Sequence, residues 1–124
     1  MYTCNNLLPR HHVSNSPIQW LNMIAHKEKT YELRLASKIN DWDLFVGKRI
    51  IFYDDYEIIV SITSLTIYNS VEEAFNHLGS KLVSIRGITK DEVLNLYKNI
   101  YGDKISNRVV AIGIKPIEIC TSKI

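Results

Sequence analysis

An α+β fold, with helices packed on a small and strongly curved sheet, is predicted by three features of the sequence. The 124 residues are rich in Ile, Tyr (7 of them) and other strand-favouring side chains. Apolar spacing alternates between the periods of strand and helix, in the order strand, helix, strand, hairpin, two helices and final strand. The longest strand-like run changes apolar parity part-way, as a chain does where a sheet bends. At 46% apolar and 23% charged, the composition excludes disorder, collagen and coiled coil. Two separate cores would leave each half marginal in size, so one domain is predicted over residues 10–119, with tails at 1–9 and 120–124.

The elements follow in order. Residues 10–14 read as a short strand. Ser16-Pro17-Ile18-Gln19 reads as a capping box, with Pro17 at the first helical position, opening a helix to about His26. Residues 29–35 alternate cleanly, with Tyr31, Leu33 and Leu35 on one face and Thr30, Glu32 and Arg34 on the other. Residues 49–53 and 56–68 flank Asp54-Asp55, a two-residue hairpin signal. In the second arm the apolar series Ile58, Val60, Ile62 shifts to Leu65 and Ile67, which predicts a bulge near Thr63-Ser64. Ser70-Val71-Glu72-Glu73 and Thr89-Lys90-Asp91-Glu92 are two further capping boxes, and Gly79 and Gly102 are the stops of their helices. Residues 108–119 close the fold, with Val110, Ile112 and Ile114 on one face and the small Ala111 and Gly113 on the other.

Net charge is +2, too small to imply nucleic-acid binding by itself. Its distribution is uneven: residues 1–38 sum to +3, 39–79 to −5 and 80–124 to +4. Bringing the ends together would give a basic and an acidic side, compatible with an anionic partner. Cys4 and Cys120 form no metal or redox spacing and read as two reduced thiols, with a bridge between the tails as the alternative. Neither a signal peptide, a membrane-length apolar run nor a glycosylation sequon is present, so a location inside a cell is expected, cytoplasmic or nuclear, without membrane partners.

Chemistry concentrates around residues 29–34. Glu32 and Arg34, two apart on a strand, can pair, and Lys29 can reach the same space from the preceding turn. Such a cluster can hold a phosphate or a polar base edge, with the planar fork of arginine for bidentate contact. A lysine beside a carboxylate can also act as base or nucleophile if burial lowers its pKa. The alternative is a solvated outer strand face with an ordinary ion pair. Trp42 sits in a polar loop, where it either stacks on a base or anchors the loop to the sheet. Lys81 and Arg86, near Lys90, either flank a cleft and contact phosphates or belong to a solvated loop. His11, His12, His26 and His77 lack metal-ligand spacing, and no cofactor motif is present.

Lys29-Thr30-Tyr31-Glu32-Leu33-Arg34-Leu35, followed by Trp42 and by Val46-Gly47-Lys48-Arg49-Ile50-Ile51-Phe52, resembles the opening of an ASCH domain. The resemblance continues through Tyr68-Asn69-Ser70-Val71-Glu72-Glu73-Ala74 and Thr89-Lys90-Asp91-Glu92 to Val109-Val110-Ala111-Ile112-Gly113-Ile114, covering about residues 10–118. It implies a PUA-like pseudo-barrel, a curved mixed or antiparallel sheet of five to six strands with about three helices. It also implies an RNA- or nucleotide-binding module whose cleft is lined by Lys29, Glu32 and Arg34, with Thr30 beside them. Two enzymatic alternatives use the same cleft through Lys29 and Glu32: a ribonuclease, or an amidohydrolase acting on N4-acylated cytidine. A protein-interaction domain in a transcription or translation assembly is a weaker alternative. The sequence departs from the family in two places. His26-Lys27-Glu28 displaces the glycine that precedes the lysine, and Glu32 stands where the amidohydrolase branch has a threonine.

Overall fold

Five strands form one open sheet in the computed structural model, which describes Cys4 and residues 7–120. They are β1 (Arg10–His12), β2 (Tyr31–Leu35), β3 (Arg49–Tyr53), β4 (Glu57–Tyr68) and β5 (Val109–Cys120), arranged β1-β3-β4-β5-β2. Only β1 and β3 are parallel, so the sheet is mixed. Three α-helices join it: α1 (Trp20–Ala25), α2 (Val71–Leu78) and α3 (Lys90–Tyr101). The two twelve-residue strands, β4 and β5, form the backbone of the fold.

The predicted parity shift is a real bulge, with the β4–β5 register slipping between Ile62 and Ser64 and again between Ile59 and Val60. Gly113 lies across from the first slip. A Cβ there would overlap the hydroxyls of Thr63 and Ser64, so the bulge needs the missing side chain. Gly113→Ala is therefore expected to cost about 1–3 kcal/mol through overpacking. Urea unfolding measures this, and an unchanged midpoint would show that the bulge yields freely.

Alternation sorts the core into three clusters. Ile50, Phe52, Ile58, Val60, Val110 and Ile112 face inward beneath α1. Leu33, Leu35, Val109 and Ala111 face α2 and α3. Ile51 and Ile59 form a third, smaller cluster with Cys4 and Cys120. Trp20 touches the first two clusters and so ties them together.

Local chemistry explains where the elements begin. Thr89 and Glu92 close the expected reciprocal capping box at 3.0 and 3.2 Å. Ser70 accepts from the Glu73 amide at 3.1 Å, but the Glu73 carboxylate reaches back to Asn69 rather than to Ser70. Gly79 and Gly102 end their helices at φ 59° and 63°, a region costly for side chains other than glycine.

Three expectations need correction. The first helix starts at Trp20, not at Ser16, because Asn15 takes over the capping: its Oδ1 accepts from the Asn22 amide at 3.1 Å. Asn15 is held by Asp54 and Asp55 at the hairpin tip, so residues 14–18 run as an irregular wall instead of a helical turn. The hairpin has three turn residues, Asp54 to Tyr56, since Tyr53 pairs with Glu57. The cysteines are not free thiols: Cys4 and Cys120 form a disulfide, with Cα atoms 5.0 Å apart. Cys120 is the β5 partner of Glu57, and Glu57 accepts from both the Cys4 amide and Arg10 Nε, the latter at 2.9 Å. That carboxylate therefore draws the N-terminal segment to the end of β5. The Arg10 hydrogen bond holds it below the usual carboxylate range.

Candidate functional site

The strand β2 is an edge of the sheet, and one cavity of about 440 Å³ lies along it. Residues 12–14, 16–18 and Trp20 form one wall and the end of α3, with Leu96, Tyr97 and Ile100, the other; Glu32, Leu33 and Arg34 also line the space. A concave, mostly apolar space of this size with a few polar groups has the character of a small-molecule site.

Register explains how charged side chains come to be here. Glu32 pairs with Ile112 and Arg34 with Val110, and both partners belong to the inward-facing core cluster. The polar face of β2 is thus the inner face of the sheet at its open edge, and the reading of a solvated outer face is set aside. Glu32 is only 8% exposed. Its Oε2 accepts from Arg34 Nε at 2.8 Å, with Arg34 Nη2 at 2.7 Å. Arg34 Nη2 also donates to the His12 carbonyl at 2.6 Å, locking the guanidinium to β1 across the sheet opening.

Lys29 joins these two residues from behind. It is 1% exposed, and its Nζ lies 3.8 Å from Glu32 Oε1, 3.5 Å from the Leu82 carbonyl and 4.2 Å from the centre of the Trp20 ring. Burial is the main cause that pushes its pKa down, to about 8, against the attraction of Glu32. Lys29 is absent from the cavity lining, while Trp20 is part of it. The three predicted residues do converge, but the amine sits beneath the wall and not within the space.

The remaining candidates divide. Trp42 packs on the core, with its ring stacked on His11 at 3.5 Å and the Arg34 guanidinium over it at 5.5 Å. Lys48 Nζ donates to the Trp42 and Asp43 carbonyls, which fixes the loop; Trp42 is an anchor engaged within the protein. His11 stays towards its neutral form through burial and the nearby Arg34 and Lys48 charges. Thr30, Lys81 and Arg86 are exposed and do not line the cavity. Among the described residues, no group of three or more His, Cys, Asp or Glu side chains is placed to hold a metal ion. None of the described helices is long and apolar enough to cross a membrane.

Tyr97 and Tyr101 belong to the cavity although their helical spacing reads as plain core. Tyr101 donates to the Leu33 carbonyl at 2.9 Å, covering the β2 edge, and burial pushes its pKa up to about 12. Tyr97 stacks on it at 5.9 Å, and burial beside the Glu32 charge raises its pKa well above the ordinary value. The signal that identifies them is register: both stand on the face of α3 that meets β2, which the sequence of α3 alone does not contain.

Neither a protein-family model nor any curated protein matches the sequence. Solved structures do. The hypothetical protein PH0355 superposes with a TM-score of 0.72 at 23% identity, over 87% of this chain and 97% of its own. Protein PF0455 from Pyrococcus furiosus gives 0.65 at 22% identity, over 89% and 97%. An ASCH domain from Lactobacillus crispatus JV V101 gives 0.59 at 14% identity, over 94% and 77%. With its mixed sheet, three helices and element order, the chain has an ASCH-type, PUA-like fold.

Proposed function

We propose that the chain is a binding module for RNA or a nucleotide-like ligand, received in the cavity along β2. The observation that supports this reading is the pairing of an apolar cavity of about 440 Å³ with a part-buried Arg34–Glu32 pair on its wall. Flat apolar groups suit the space between Trp20 and the end of α3, and the arginine offers a planar donor to oxygen. Lys29 acts through Glu32 and not on the ligand. Its seclusion beneath Trp20 speaks against use of its amine as a nucleophile, so binding without turnover is the reading we adopt.

Titration calorimetry of the full chain with the four mononucleotides and with short single-stranded RNA tests the proposal. Ile100 lines the cavity yet is 53% exposed, so Ile100→Glu is expected to keep the fold and weaken binding more than tenfold. Unchanged affinity in this variant would move the ligand to another surface.

A further inference from the structure

The charges at the cavity do not balance. Lys29 and Arg34 share a single carboxylate, Glu32, which is the one acid among the lining residues. Both of its oxygens are engaged, Oε1 towards Lys29 and Oε2 with Arg34. A carboxylate held in this way is a poor acceptor for an incoming amine, because a ligand would have to displace a charge-assisted pair. A buried cation left in excess favours an anion beside it.

Arg34 and Tyr97, two donors that lie with Glu32, each keep a hydrogen uncommitted. Arg34 uses Nε and Nη2, while its Nη1 bonds no described residue. Tyr97 lines the cavity, and its hydroxyl makes no hydrogen bond to a described residue, yet it is not sealed away as a buried unpaired atom. A hydroxyl that is open to the cavity and bonded to no described residue is free to donate to a ligand oxygen. Around these donors the space is apolar, with Pro17, Ile18, Leu96 and Ile100.

We propose, building on the nucleotide reading above, that the ligand enters with an anionic oxygen group, phosphate or carboxylate, seated against Arg34 Nη1 and the Tyr97 hydroxyl. Glu32 then offsets part of the cation charge at the cavity and does not read a base edge. The ligand's apolar or flat body lies against the outer wall.

Calorimetry with four nucleosides, their 5′-monophosphates, benzoate, and an RNA hexamer with or without a 5′-phosphate separates the outcomes. Monophosphates are expected to bind at least tenfold more tightly than nucleosides, with a threefold to tenfold loss in Tyr97→Phe, which removes only the hydroxyl. Glu32→Gln is expected to hold or strengthen the monophosphate; a tenfold weakening in a folded variant would restore Glu32 as a reader and overturn the proposal. Should nucleosides bind as tightly as monophosphates, the anion seat is wrong and the nucleotide reading survives. Binding of benzoate alone, sensitive to Tyr97→Phe, would keep the anion seat and reject the nucleotide reading. Binding of none of the probes would reject both. A hexamer preferring its 5′-phosphate form identifies an RNA end as the source, whereas monophosphate binding alone identifies a free nucleotide.

Discussion

Cys120→Ser is expected to remove about 4–5 kcal/mol of folding stability, the entropy of closing a loop across the 116 positions that separate the cysteines. That is a large share of the roughly 5–15 kcal/mol by which domains of this kind are stable. The melting temperature should fall by on the order of 15 °C. Dithiothreitol should do the same to the unsubstituted protein and nothing further to the variant. The loss should be felt first where the N-terminal segment meets the sheet, at the Ile51 amide bonded to the Pro9 carbonyl and the Val13 amide bonded to the Tyr53 carbonyl. Hydrogen exchange at those two amides reports it. A change below 1 kcal/mol would mean that Arg10, Glu57 and the β1–β3 pairing hold the segment unaided.

The second large effect runs in the opposite direction. Lys29→Met is expected to stabilise the protein at pH 7, by about 1–3 kcal/mol. The lysine carries a charge into a fully buried position, and desolvation lowers its pKa from 10.5 to about 8. At pH 7 the native state must keep that proton, at a cost on the order of 3 kcal/mol relative to the unfolded chain. Methionine keeps the packing on Trp20 without the charge, and Glu32 retains both contacts to Arg34. The pH dependence fixes the sign. Between about pH 8 and 10.5 the unfolded chain binds a proton that the native state has released, so stability rises with pH across that window. The rise should be present in the original protein and missing from Lys29→Met, so the gap between the two curves narrows across that window. Urea unfolding at pH 7, 8.5 and 10 is the measurement; a variant less stable by more than 1 kcal/mol at pH 7 would show that the lysine's contacts outweigh its burial.

What the sequence discloses depends on how far apart the interacting groups lie. Thr89 and Glu92 satisfy each other within one turn, so the start of α3 is legible to the residue. The bulge at Thr63-Ser64 is legible because it flips the alternation of the strand that contains it. Ser16 fails as a cap because Asn15, steadied by Asp55 from across the hairpin, offers a better acceptor to α1. The candidate cluster was visible as residue types, but not as a buried one: Lys29 is sealed by Trp20 and Leu82, which reach it only through the packing of α1 and of the turn after α2. Tyr97 and Tyr101 have the spacing of ordinary core residues, and only their meeting with β2 makes them part of a cavity.

The position of β2 has a consequence for how the protein is made. Its sheet partner is β5, with Leu35 opposite Val109 and Tyr31 opposite Gly113. During synthesis, at about 5–20 residues per second, β2 leaves the ribosome several seconds before β5 exists. The β3–β4 hairpin can close early, whereas Glu32 and Arg34 must wait for a strand that comes much later in the sequence. Contacts so distant in sequence make the final docking slow. The cavity is therefore completed only after β5 has emerged, and a chain cut short of β5 would carry β2 as a bare edge open to pairing with other chains.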